Sequence, residues 1–218
     1  MNSQSEENYL KAVYHLSGET GKAVSTNSIA EVICTKASSV TDMLRKLAKK
    51  GLINYIKYQG VTLTDKGRNT AVDIVRRHRL WEVFLVEKLG FKWDEVHDIA
   101  EDLEHIESEI LVTRLDEFLG FPKTDPHGDP IPDKNGKVKV AELVKTSIMK
   151  VGQSGVISGV SEHSSVFLQY LDKAGLTLGS KIKIKEILEY DGSVLLILND
   201  KKDITISREA AKSILIAL

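Results

Sequence analysis

The 218-residue chain is poor in cysteine and proline and has no long apolar run. Its one cysteine, Cys34, cannot form an internal disulfide, and with 42% hydrophobic residues, 28% charged residues and four prolines a disordered or collagen-like chain is excluded. No stretch approaches the roughly 18 apolar residues that a membrane helix needs, so we expect no membrane partner. Residues 1–7 are polar and acidic, unlike a secretory signal, and we therefore expect a cytoplasmic protein.

Charge is unevenly distributed, although the net charge is only −1. Lys and Arg outnumber Asp and Glu by 13 to 7 over residues 1–80, the acidic residues lead by 12 to 3 over 81–120, and the signs nearly balance, 14 to 12, over 121–218. A basic first third favours a polyanionic partner, whereas an acidic middle that also carries histidine favours cations.

The first third has the pattern of a winged helix-turn-helix. Apolar residues at helical spacing predict three helices, which begin at a cap on Ser5, at a cap on Ser25 or Thr26, and at Ala37. The second and third are short and joined by about four residues. Two alternating β-prone runs then flank a turn at Gln59 and Gly60, which is typical of a β-hairpin wing.

The rest of the chain changes from helical to β patterns. A long helix is predicted from Asp65 to about Lys88, followed by helices over about 94–106 and 108–119. All four prolines lie in the turn-rich stretch 121–136. Short β-prone runs and one helix then predict a small β-barrel.

The third predicted helix carries most of the residues that we expect to contact DNA. Hydroxyl groups near its start would meet bases and phosphates, and the cations, with one lysine on the wing, would neutralise backbone phosphates. The candidates are Ser38, Ser39, Thr41, Asp42, Arg45, Lys46, Lys49, Lys50 and Lys57. The alternative is a solvated basic helix in a protein-binding winged helix.

Three of the six histidines lie among carboxylates at helical spacing. His78 and Glu82 are on the long helix, and the next predicted helix carries His97, Glu101, Glu104 and His105. Spacings of three and four place side chains on one helix face. Imidazole with carboxylate suits Mn(II), Fe(II), Co(II) or Zn(II), so the pattern predicts a divalent-metal site. The alternative is a set of ordinary surface or core histidines beside a solvated acidic face.

With these features the chain resembles the diphtheria-toxin-repressor (DtxR/MntR) family of metal-activated, dimeric repressors of metal-uptake genes. The segments that carry the resemblance are Glu7-Asn8-Tyr9-Leu10, Arg77-His78-Arg79-Leu80-Trp81-Glu82, Val96-His97-Asp98, Glu104-His105 and Pro126-His127-Gly128-Asp129-Pro130-Ile131-Pro132. It implies a mainly α fold with small β parts: a winged helix-turn-helix at 1–72, a helical metal-binding and dimerisation domain at 73–140, and an SH3-like β-barrel at 146–218.

The resemblance also implies which residues bind the metal. His78, Glu101, Glu104 and His105 would form the activating site, completed by the position of Asn8, where family members often carry Met or Asp. A second site would draw on Glu82 and His97, or on residues of the proline-containing stretch and the C-terminal domain: Asp125, His127, and Glu162 or His163. Nitrogen and oxygen ligands favour Mn(II), with Fe(II) next.

A dimeric DNA-binding repressor is expected to have two kinds of partner. We expect a homodimer, supported by apolar residues at helical spacing, and a palindromic double-stranded operator that offers two half-sites to two recognition helices. The apolar residues are Ile106, Ile110, Leu111, Leu115 and Phe118.

We do not expect an enzyme, because the chain has no Walker loop, no dinucleotide fingerprint and no His-Glu-x-x-His motif. Two alternatives are a metallohydrolase that uses the same His/Glu cluster and a winged-helix regulator that senses an organic ligand.

Overall fold

A computed structural model describes residues 2–18, 20–56, 59–139 and 141–218, and within these ranges the chain forms eight α-helices and eight β-strands. It divides into two compact units. Unit 1 holds residues 1–78, 101–112 and 132–137, and unit 2 holds 79–100, 113–131 and 138–218. Across the described part of the chain, no helix is long and apolar enough to cross a lipid bilayer. The predicted domain boundaries stay predictions.

Unit 1 contains the winged helix-turn-helix. Its elements are α1 (Gln4–Ser17), α2 (Thr26–Val32), α3 (Ala37–Lys49), β1 (Ile53–Ile56), β2 (Gly60–Leu63) and the first part of α4 (Asp65–Leu89). The two strands pair antiparallel, with Ile53 opposite Leu63. Leu10, Ile29 and Leu44 are fully buried in one apolar core, so a residue from each of the three helices stabilises the same cluster.

The first helix begins two residues earlier than its predicted cap at Ser5 allows. Ser3 is the cap: its hydroxyl accepts from the Glu6 amide at 3.3 Å, and the Glu6 carboxylate accepts from the Ser3 amide at 2.7 Å. This reciprocal pair is a capping box, which satisfies two amides at the helix start. The cap at Ser25 on α2 is confirmed.

Unit 2 is built around a six-stranded antiparallel sheet in the order β3-β8-β4-β5-β6-β7. The strands are β3 (Val144–Lys145), β4 (Ser154–Val160), β5 (Lys181–Ile187), β6 (Val194–Leu198), β7 (Lys202–Ile206) and β8 (Ile214–Ala217). Helices α7 (Ser165–Ala174) and α8 (Arg208–Ser213) share its apolar core. This confirms the small β domain predicted for the C-terminal part. The strands β3 and β8 and the helix α8 were not predicted.

Three helices contribute residues to both units. They are α4, which is divided between His78 and Arg79, α5 (His97–Leu103) and α6 (Glu109–Phe118). The helix predicted over about 94–106 is shorter than expected at both ends, because α5 begins at His97 and ends at Leu103.

Glu6 ties the first helix to the end of α3. Its carboxylate is 1% exposed and lies 3.2 Å from the Lys46 ammonium and 2.8 Å from the Lys50 ammonium. Burial alone would raise the pKa of Glu6, but hydrogen bonds from Lys50, Ser3 and Lys46 outweigh it and lower the pKa to about 2. The carboxylate is therefore charged at neutral pH and holds both lysines.

We expect Glu6→Gln to lower the free energy of unfolding by about 1–3 kcal/mol at pH 7, because hydrogen bonds to a charged group are lost. Since the folded-state pKa lies below the ordinary value of 4.5, this contribution is present above pH 4.5 and is lost as the pH falls towards 2. Urea unfolding at pH 7 and pH 3 measures both effects. Glu31→Gln, an exposed change on α2, is the control, and equal midpoints for Glu6→Gln and the parent at pH 7 would contradict the anchoring role.

Candidate metal centres

Unit 1 brings together His78, Glu101, Glu104 and His105, and these four residues with the predicted ligand Asn8 on α1 are called the first cluster. Glu101 is on α5, but Glu104 and His105 lie in the turn after it, so the predicted single helical face is wrong. The turn after α5, and not a shared helix face, brings Glu104 and His105 close to the other residues. His78 Nδ1 lies 2.6 Å from a Glu104 oxygen and 3.8 Å from a Glu101 oxygen. His105 Nε2 lies 3.9 Å from the other Glu104 oxygen.

Glu7 on α1 orients His105, a role that the sequence analysis missed. The Glu7 carboxylate lies 2.6 Å from His105 Nδ1. Because a carboxylate accepts, Nδ1 carries the proton and Nε2 is left on the side of Glu104. A carboxylate behind a ligating histidine is the usual arrangement in metal sites. Arg77, 3.5 Å from Glu7, balances the charge of this buried carboxylate.

Lys11 is the second residue that the sequence analysis missed. Its ammonium lies 2.5 Å from a Glu101 oxygen and 2.7 Å from both Glu104 oxygens. Glu104 has no exposed surface, and the Lys11 side chain is 12% exposed. The two carboxylates therefore already share one positive charge in the metal-free chain.

Asn8 supplies a test of whether this cluster fits a metal. Its amide oxygen Oδ1 is buried and finds no hydrogen-bond donor among the described residues. A buried acceptor without a donor costs free energy, and a nearby cation would remove that cost. Two imidazoles, two carboxylates and an amide oxygen form a donor set that suits a divalent ion such as Mn(II) or Fe(II).

Unit 2 holds a second cluster, formed by Glu82, Asp125 and His127. All three are buried, and one ligand atom from each lies within 4.8 Å of the others. His127 Nδ1 is 3.7 Å from a Glu82 oxygen and 4.0 Å from an Asp125 oxygen. Three buried donors at this separation surround a space of the size that one metal ion fills.

The backbone around the second cluster fixes the orientation of His127. Its Nε2 donates to the Trp93 carbonyl at 2.8 Å, so in the neutral ring Nδ1 is the free acceptor that faces the carboxylates. Asp125 accepts from the backbone amides of His127 and Asp129 at 2.8 and 3.0 Å. Gly128, with φ of +91°, lies against β4 so closely that a Cβ would sit 2.2 Å from the Ser158 carbonyl oxygen. Only glycine fits there.

The second cluster gathers three acidic groups beside one guanidinium. Burial, together with the nearby Glu82 and Asp129, raises the pKa of Asp125 to about 7, although Arg79 and His127 oppose the shift. Arg79 lies 3.5 Å from Asp125 and 3.0 Å from Asp129. A divalent cation would favour the charged form of all three carboxyl groups, which otherwise oppose one another's ionisation.

The remaining predicted residues of the second site lie at different distances from it. His97 Nδ1 is 3.7 Å from a Glu82 oxygen and its side chain is half exposed. His163 stacks on His127 with ring centres 4.9 Å apart. Glu162 is exposed and accepts instead from the Ser164 amide at 3.0 Å.

The predicted DNA-contacting residues on and beside α3 differ in solvent exposure and in the contacts that they already make. Seven residues, counting Lys50 at the end of the helix, are exposed and one, Thr41, is half-buried with its hydroxyl donating to the Ala37 carbonyl at 3.0 Å. The exposed ones besides Lys46 and Lys50 are Ser38, Ser39, Asp42, Arg45 and Lys49. Lys46 and Lys50 are exposed in part but hold Glu6, and Lys57 lies outside the described residues.

Comparison with known families accounts for nearly the whole chain. Residues 1–61 match the "Iron dependent repressor, N-terminal DNA binding domain", residues 64–133 match the "Iron dependent repressor, metal binding and dimerisation domain", and residues 146–218 match the "FeoA domain".

Individual relatives agree with these matches. The iron-dependent repressor IdeR of Mycobacterium tuberculosis is 28% identical, covering 95% of this chain and 94% of that protein. The HTH-type transcriptional regulator MntR of Oceanobacillus iheyensis is 35% identical, covering 57% of this chain and 84% of that protein. A solved manganese-dependent transcriptional repressor in complex with manganese has a TM-score of 0.87 and 38% identity, covering 97% of this chain and 98% of its own.

These likenesses confirm the predicted regulator class and set aside both the metallohydrolase and the organic-ligand sensor, since the relatives are metal-dependent repressors and not enzymes. The chain carries a DNA-binding domain together with a metal-binding and dimerisation domain. It therefore belongs to the iron-dependent repressor (DtxR/MntR) family of metal-dependent transcriptional regulators.

Proposed function

We propose that the chain represses metal-ion uptake genes when Mn(II) or Fe(II) binds the first cluster, and that it acts in the cytoplasm as a homodimer on a palindromic double-stranded operator. One observation carries the proposal: the metal-ligand set and the DNA-reading helix α3 lie in the same compact unit and share contacts with one helix, α1.

The side chains of α1 provide the coupling. Glu6 holds Lys50 at the end of α3, whereas Glu7 and Lys11 hold His105 and the carboxylates of the first cluster. When bound, a divalent ion would supply positive charge to Glu101 and Glu104 in addition to, or in place of, the Lys11 ammonium. A change in how these carboxylates are paired therefore acts on the helix that supports α3, which shifts the population of the DNA-binding conformation.

Glu82, Asp125 and His127 form the second metal site in this proposal, with His163 and His97 beside it. The fixed orientation of His127 and the grouping of acidic side chains around Asp125 support this assignment. Both clusters offer only nitrogen and oxygen donors, which favours Mn(II) or Fe(II). Zn(II) would bind such donors more tightly, so selectivity would depend on geometry and on the supply of each ion.

Exposed apolar side chains support dimerisation. Ile110 is 72% exposed and Phe118 is 64% exposed, and Ile106 and Leu111 are also exposed, whereas Leu115 is buried. Large apolar side chains left in solvent are typical of surfaces that another subunit covers. A two-fold dimer presents two copies of α3, which matches a palindrome with two half-sites.

For DNA contact, we expect Lys49→Ala to weaken binding to all sequences and to lower the salt slope by about one, because one phosphate contact is lost. Ser39→Ala should instead change the sequence preference. Fluorescence anisotropy at two salt concentrations measures both. Lys49 is preferred to Lys50 because the ammonium of Lys50 also holds Glu6.

Lys201→Ala, an exposed change in the β domain, is the control for loss of one positive charge. If Lys49→Ala and Lys201→Ala both bind DNA like the parent at each salt concentration, α3 does not contact the backbone as proposed.

For metal activation, we expect Glu101→Gln to lower Mn(II) affinity at the first cluster at least about tenfold, because a charged ligand is lost. The variant should need correspondingly more Mn(II) for operator binding. Glu101 is 33% exposed, so this change disturbs the fold less than replacing the fully buried Glu104. Calorimetry on the full chain should resolve two binding phases, and Glu82→Gln should remove the other one.

Asp102→Asn is the matched control, since it removes a neighbouring, exposed carboxylate on α5. Unchanged Mn(II) binding in Glu101→Gln, or equal losses in Glu101→Gln and Asp102→Asn, would show that the first cluster is not the activating site.

A further inference from the structure

We infer that Lys11 is a built-in cation that competes with the activating metal for Glu101 and Glu104, and so sets the metal concentration at which the regulator switches. The inference rests on the proposed function, because it requires both carboxylates to be metal ligands. It concerns a residue outside the ligand set and predicts the sign of its effect.

The geometry places the ammonium on the atoms that a metal would need. Lys11 Nζ lies within 2.7 Å of three carboxylate oxygens, one from Glu101 and both from Glu104. Transition-metal ions bind carboxylate oxygens at about 2.0–2.2 Å. An ion bound to the same oxygens would therefore lie within a few ångströms of the ammonium, where two positive charges repel strongly in a buried site.

The surroundings make this repulsion costly. The Glu104 side chain has no exposed surface and Lys11 is 12% exposed, so little water screens the two cations from each other. Metal binding is then possible only if Lys11 gives up some or all of its three contacts. A lysine can do so because its ammonium is a point charge on a flexible four-carbon stem.

The second cluster shows the contrasting arrangement. The guanidinium beside it, Arg79, is held by the Pro130 carbonyl and by Asp129 as well as by Asp125. The guanidinium lies 3.5 Å from Asp125, farther than Lys11 lies from its carboxylates. Within the described residues, the first cluster is therefore the one whose carboxylates are directly neutralised by an exchangeable lysine.

A purely structural role for Lys11 predicts the opposite result. If the ion pairs only hold α1 against the turn after α5, removing the ammonium lets the ligands spread apart and metal binding weakens. If the ammonium competes, removing it takes away the positive charge that the two carboxylates share, which destabilises the apo protein and lets the carboxylates attract the metal more strongly. The two roles therefore differ in the sign of the change in affinity.

The test is Mn(II) titration of the full chain by calorimetry, with the first-cluster phase identified as the one that Glu101→Gln loses. We expect Lys11→Met to tighten this phase about tenfold, as removal of a close like charge requires. Lys11→Arg, which keeps the charge, should stay near the parent. Lys66→Met, an exposed change in unit 1, should also leave the phase unchanged.

A second readout uses thermal unfolding without DNA. Lys11→Met should melt below the parent in chelator, and Mn(II) should raise its melting temperature by more than it raises that of the parent. Lys11→Gln replaces Lys11→Met in both measurements if the methionine variant does not fold.

The measurements distinguish a failure of the competition by Lys11 from a failure of the proposed metal site. If Glu101→Gln loses a phase but Lys11→Met and Lys11→Gln bind Mn(II) no more tightly than the parent, the competition is wrong while the proposed site stands. Equal tightening in Lys66→Met would also overturn it, because the effect would then be one of overall charge. If Glu101→Gln loses nothing, the proposed site is wrong and the competition falls with it.

Discussion

Charge buried on the first helix is the constraint on which unit 1 depends. A charged side chain removed from water must be paired, because the cost of desolvation is otherwise several kcal/mol. Glu6, Glu7 and Lys11 are all largely buried on α1, and each finds its partner on a different part of the chain. A movement of the helix would therefore disturb α3, His105 or the paired carboxylates, and for this reason the proposed coupling of metal to DNA binding runs through α1.

The two clusters differ in how the charge of their carboxylates is balanced. In the second cluster the backbone fixes Asp125 and His127, through the amides of the Asp125 turn and the Trp93 carbonyl, and neighbouring carboxylates raise the pKa of Asp125. In the first cluster a lysine supplies the missing charge. A preformed site suits steady occupation, whereas a site whose carboxylates exchange one cation for another suits a response to changing metal concentration.

Helical spacing was enough to group four residues of the first cluster that the structure brings together, but the reason it gave was incomplete. The spacing of Glu101, Glu104 and His105 predicts one helical face, yet α5 ends at Leu103 and the turn brings the last two into place. The sequence also contains a local signal that the prediction of the first helix did not use. Ser3 and Glu6 have the spacing of a capping box, which favours Ser3 over Ser5 as the cap.

Other features depend on tertiary contacts that sequence patterns do not contain. Lys11 and Glu101 are 90 positions apart in the sequence, so no local pattern distinguishes Lys11 from the other basic residues of the first third. The role of Glu7 is hidden for the same reason, since His105 lies 98 positions away. The helix α8 and the strand β8 have only six and four residues, too few for a clear periodic pattern.

The most direct test of the account is amide hydrogen exchange of α1 in the full chain, with and without Mn(II). If metal acts on DNA binding through this helix, Mn(II) should change the exchange rates within residues 4–17 and in the turn that carries Glu104 and His105, in step with the gain in operator affinity. A gain in operator affinity with unchanged exchange throughout α1 would contradict it.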